Sequence, residues 1–184
     1  MRTNKTLRGI IFIMAFLGMG MLFGCGNKQN TSTSTTYEGS LASFTYHPGY
    51  SDMNGGYHGE RLIKNEEGTW VIECDDREEL GEPEIITTYA VDQTAVTEFE
   101  EFLKQKKVLA LENRKDSDDF VTDYSEWNIS FRFVNENDGK KEYEDHRIYQ
   151  YKKYSDSDYK IISEIKERFR ALRGEVISTR EEEY

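Results

Sequence analysis

Between residues 37 and 174 the apolar positions change spacing several times, and each spacing predicts an element. Phe44-Thr45-Tyr46 alternates and predicts a first strand. Residues 47–59 (HPGYSDMNGGYHG) lose the pattern. Gly55-Gly56 is costly inside a strand, so a loop or a bulged strand entry is expected there. Tyr57–Lys64 and Thr69–Cys74 flank Asn65-Glu66-Glu67-Gly68, a Gly-ended hairpin loop. In the second of these strands Trp70, Ile72 and Cys74 share one face, while Val71 and Glu73 point the other way. Asp75–Pro83 is acidic and predicts a turn-forming connection, and Glu84–Val91 (EIITTYAV) is rich in β-formers.

From Asp92 the spacing becomes helical. Asp92 is placed as an N-cap, and Ala95, Val96, Phe99, Phe102 and Leu103 form the apolar stripe of a helix reaching about Lys107. Its glutamates (Glu98, Glu100, Glu101) precede its lysines (Lys104, Lys106, Lys107), the order favoured by the helix dipole. Val108–Leu111 is a short apolar run, and residues 113–119 form a charged loop. Trp127, Ile129, Phe131 and Phe133 alternate with polar residues, predicting a half-buried strand at the centre of the sheet. Asn137-Asp138-Gly139 turns it into a polar partner over about Lys141–Tyr151. Ser155 and Asp158 have the layout of a capping box. The helix behind them carries Ile162, Ile165, Phe169 and Leu172 and ends near Gly174. Residues 175–184 read as a frayed tail. The expectation is a single α+β domain over 37–174. It is built on an antiparallel sheet of about five or six strands, with two helices packed on one face.

The N-terminus alters the picture of location. Arg2, Lys5 and Arg8 precede an uncharged run, Ile10–Gly24, that suits a secretory leader and is shorter than the roughly 20 residues of a membrane span. Leu22-Phe23-Gly24-Cys25 resembles the lipobox of bacterial lipoprotein signal peptides. The resemblance implies that residues 1–24 are a signal peptide and that Cys25 is acylated on sulfur and becomes the lipid-bearing N-terminus. Read from the residues alone, an uncleaved anchor is the alternative. Either form puts the domain on the extracytoplasmic face of the cell membrane. Residues 25–36 are polar and small and read as a flexible tether.

Charge then narrows the partners. Residues 1–24 hold three of the 24 basic residues and no acid, so the mature charge is 21 − 35 = −14, against −11 for the whole chain. That balance argues against nucleic acid, whose phosphates need cations, and against a polybasic grip on anionic lipid. The acyl chain on Cys25 is left as the membrane contact, with an envelope protein as the partner expected in addition.

Candidate chemistry is sparse. There is no Gly-x-Ser-x-Gly or His-Glu-x-x-His motif. Cys74 shares its face with Trp70 and Ile72, where a thiol serves as a small buried hydrophobe. His47, His58 and His146 lack a zinc-type spacing. Asp116, Asp118 and Asp119 begin like a calcium loop, but its glycine and glutamate positions hold Val121 and Trp127. No catalytic residue, metal ligand or cofactor is assigned. Tyrosine is the informative excess, at 12 residues. Tyr46, Tyr50 and Tyr57 bracket the glycine-rich segment, and Tyr with Gly, Ser and Asn on loops is the composition of recognition surfaces.

With the Gly55-Gly56 segment before a hairpin and the later Trp127 strand, residues 40–173 look similar to uncharacterised lipoprotein domains of Firmicutes. The resemblance implies a Gram-positive envelope and no particular reaction. The function expected is a membrane-anchored binding or interaction module. An envelope enzyme acting on wall polymers or peptides and an inhibitor-like protein are the alternatives.

Overall fold

The computed structural model describes residues 39–49, 55–118 and 127–183. Within these residues seven strands form one antiparallel sheet: β1 (Ser40–His47), β2 (Tyr57–Lys64), β3 (Trp70–Arg77), β4 (Glu84–Ala90), β5 (Asn128–Asn137), β6 (Lys140–Tyr149) and β7 (Val176–Glu182). Their order across the sheet is β6-β5-β1-β2-β3-β4-β7. Among the described residues three helices accompany it: α1 (Gln93–Gln105), α2 (Leu109–Glu112) and α3 (Asp156–Ala171). Among these described residues no helix is long and apolar enough to cross a membrane. Cys25 and the tether lie outside the described residues, as does Tyr50.

Pleat parity separates the sheet into an apolar and a polar face. Phe44, Leu62 and Ile72 lie opposite one another in register, and Phe131 faces Phe44 from the other side. These residues join Val96, Phe99, Phe102 and Leu103 of α1, Leu109 and Leu111 of α2, and Ile162, Ile165 and Phe169 of α3 in one core. Phe44 is its centre, with the Phe169 ring 4.7 Å and the Phe99 ring 5.1 Å away. Leu41 and Phe44 are three apart yet both buried, because a bulge between Leu41 and Ser43 restores the parity.

The caps follow the sequence. Asp92 accepts hydrogen bonds from the Thr94 and Ala95 amides at 2.8 and 3.0 Å. Ser155 and Asp158 form a full capping box, and Arg114 donates to Asp158 at 2.8 Å. Gly174 follows α3 for a steric reason. Its amide donates to the Ala90 carbonyl at 2.8 Å, and a Cβ there would sit 2.8 Å from the same oxygen.

Several expectations need correction. The sheet has seven strands where about five or six were expected, since residues 175–184, read as a frayed tail, contain β7 on β4. All seven residues of β7 are exposed, so no apolar periodicity announced it. The run Val108–Leu111 became a third, short helix, burying Leu109 and Leu111. The Trp127 strand, β5, lies second from an edge and not at the centre. β3 continues through Asp75, Asp76 and Arg77, which looked like a turn, because cross-strand cations neutralise its acids.

Candidate functional site

At one end of the apolar face the sheet turns polar. On β2 the helix-side positions run Leu62, Glu60, His58, and on β3 they run Ile72, Cys74, Asp76, each pair in register. Glu60 is only 2% exposed. His58 sits between two carboxylates, its Nδ1 on Asp76 Oδ1 and its Nε2 3.1 Å from Glu60 Oε1. Arg173, just beyond α3, ion-pairs with the other oxygen of Glu60. The chain Asp76–His58–Glu60–Arg173 therefore ties β3, β2 and the end of α3 together.

The charges reinforce one another. Hydrogen bonding to Glu60, and then to Asp76, raises the His58 pKa above its ordinary value despite burial. Burial pushes Glu60 up, but hydrogen bonds and charge from His58 and Arg173 outweigh it and leave the carboxyl below its usual value. Cys74 lies directly across from Glu60, and burial raises its thiol to about 11. It is 3% exposed and remains a thiol at neutral pH, unsuited to attack.

Above this chain opens a cavity of about 780 Å³, lined by Pro48, Gly49, Tyr57, His58, Asp76, Arg77, Glu78, Glu79 and Arg170. Its volume falls among those of small-molecule sites, roughly 300–1,000 Å³. Arg77 donates to the Gly55 carbonyl at 3.2 and 3.3 Å, bracing the chain that enters β2. Gly55 itself has φ +85° and lies against Leu80, where a Cβ would meet the Leu80 Cβ at 2.8 Å. The tyrosine ring at 57 crosses Gly59, whose absent Cβ would meet the Tyr57 hydroxyl at 2.6 Å. That hydroxyl is 3.4 Å from His47 Nδ1.

Of the tyrosines expected to recognise a partner, Tyr57 is 36% exposed and lines the cavity. Tyr46 does not reach the surface. It is 4% exposed because the Phe44–Tyr46 alternation carries its ring into the core, with Lys166 5.2 Å and Arg170 5.5 Å above it. The sequence weighs His58 only as a histidine without zinc-type spacing, and it assigns no site role to Glu60, Asp76 or Arg173. The period of two does place His58 and Glu60 on the face of Leu62, but their charge argues for solvent. Among the described residues no three His, Cys, Asp or Glu side chains are arranged to hold a metal ion. No family model matches the chain, and no curated protein or solved structure matches it.

Proposed function

We propose that this chain is a lipid-anchored, extracytoplasmic binding module that receives its partner in the cavity at Tyr57. The observation that carries this reading is the cavity of about 780 Å³ itself. It joins an exposed aromatic ring to charges of both signs, Asp76, Glu78 and Glu79 against Arg170, over a rigid polar floor. Such a lining orients a ligand by several polar contacts while the ring supplies area. The neighbouring thiol is protonated and buried, which favours binding over covalent catalysis. In this reading Cys25 carries the acyl chain, residues 25–36 form the tether, and both long helices lie against one face of the sheet.

Site-specific photo-crosslinking from position 57, in the full chain in its native envelope, tests the binding half. A discrete adduct is expected, abolished by Arg170→Glu and absent when the crosslinker is placed at Glu181. Equal adducts from both positions would remove the cavity from consideration. Mass spectrometry of the mature N-terminus tests the anchor: acyl mass on Cys25 is expected, and a chain starting at Met1 with a free Cys25 thiol would end it.

A further inference from the structure

The polar face of the sheet, turned away from the core, holds a second cavity of about 420 Å³. Strand register sets its lining in two rows, Thr45–Ser130–Arg147 and Ser43–Arg132–Asp145. The second row is internally neutral, since Arg132 donates Nε and a terminal nitrogen to the two Asp145 oxygens at 2.6 and 3.0 Å. Glu112 of α2 also reaches this cavity, and both its oxygens are taken. One accepts from His146 Nδ1 at 2.7 Å and the other from the Arg147 amide at 3.2 Å.

The first row is different. It offers two hydroxyls and a guanidinium. Among the described residues the Arg147 side chain has no hydrogen bond and no carboxylate at ion-pair distance. One strand further on, Arg61 stands directly opposite Thr45. Its terminal nitrogen serves Glu73 and Asp75, while its Nε is buried without an acceptor among the described residues. Arg61 does not line the cavity, so the donors left over there are the Arg147 guanidinium and the hydroxyls of Ser43, Thr45 and Ser130, in a chain with 35 acids to 24 basic residues. Such donors match the oxygens of an anion.

We propose that this cavity is an oxyanion site, in which the Arg147 fork grips a phosphate-type group and Thr45, Ser130 and Ser43 donate to its remaining oxygens. A planar guanidinium binds two such oxygens at once, and hydroxyl donors beside it add direction. At about 420 Å³ the cavity has room for a phosphate bearing a small organic group. Free inorganic phosphate and a phosphodiester headgroup share this chemistry, and the test separates them.

The full chain, ¹⁵N-labelled in neutral detergent micelles, is titrated with inorganic phosphate and with glycerophosphoglycerol while amide and Arg side-chain resonances are followed. Saturable shifts at Ser43, Thr45, Ser130 and Arg147 are expected. Tighter binding of glycerophosphoglycerol assigns a headgroup, and tighter binding of inorganic phosphate assigns the free anion. Arg147→Gln should weaken the better ligand at least tenfold, and Arg147→Lys should fall between it and the parent. Ser130→Ala should weaken it severalfold. Arg170→Gln, at the other cavity, should leave affinity within twofold. The proposal is overturned if neither ligand saturates, if chloride at equal ionic strength produces the same shifts, or if Arg147→Gln binds within twofold of the parent.

Discussion

Glu60 shows how much one side chain can organise when it is buried and fully engaged. Its strand position demands an apolar residue, and the structure supplies His58 and Arg173 instead of solvent. Replacing Glu60 by Gln keeps the volume, leaves Arg173 without its counter-charge and leaves His58 with Asp76 alone. Arg173 and His58 are both 27% exposed, so the expected loss is about 2 kcal/mol, below the roughly 3–5 kcal/mol of a wholly buried pair. Urea unfolding with an unchanged slope measures it, and a loss under half of that would mean water already shares the site. Cys74, across from Glu60, makes the complementary case. With its pKa at about 11 and 3% exposure, thiol labelling at pH 8 should be on the order of a hundredfold slower in the native chain than in denaturant. Comparable rates would show a reactive thiol and reopen covalent chemistry.

At the scale of elements, the contrast between α3 and β7 is instructive. α3 follows from local rules and buries Ile162, Ile165 and Phe169, whereas β7 buries nothing. β7 is held by its ladder with β4, by the Arg180–Glu73 pair at 3.3 Å, and by the close approach of Gly174 to Ala90. Ending the chain after Glu175 should therefore cost less than Phe169→Ala, for which about 3–5 kcal/mol is expected. It should also bare the β4 edge and promote association, which sedimentation would detect. A truncated chain less stable than Phe169→Ala would show that β7 belongs to the folding unit. The hairpin β5–β6 needs no such support, because Ile129, Phe131 and Phe133 enter the core on one side.

Across the whole molecule, the chain Asp76–His58–Glu60–Arg173 joins strands from one hairpin to the end of the last helix. Its stability contribution has a defined pH window. Glu60 titrates below its ordinary 4.5 in the folded state, so its contribution is present above that value and fades as pH falls through the lower folded one. His58 titrates above 6.5, so its contribution is complete below 6.5 and is lost as pH rises through the higher folded value. Both operate fully between about pH 4.5 and 6.5. His47 works in the opposite sense: burial lowers its pKa, and folding favours its neutral form. The clean measurement is therefore a difference. His58→Gln should destabilise the chain more at pH 5.5 than at pH 8.5, and the reverse order would contradict the imidazolium at this junction.

The elements whose reasons are local can be read directly from the residues. Both helix caps, the helical stripes, the hairpin at Asn65–Gly68 and the burial of Cys74 follow from spacing and capping chemistry within a few residues. So does the α+β class, since short hairpin loops exclude parallel crossovers. Strand order, the seventh strand and the two cavities depend on contacts between segments far apart in the chain. β7 carries no apolar pattern because its ladder, and not its side chains, holds it. Tyr46 and Tyr57 flank the same glycine-rich segment, yet pleat parity sends one ring into the core and leaves the other on a cavity wall. Glu60 and Arg173 are 113 residues apart, from 173 − 60, and no local rule links a charge on a strand to one beyond a distant helix. Burial of such charges becomes affordable only where packing brings the partners together, and that is information no short window of the chain contains.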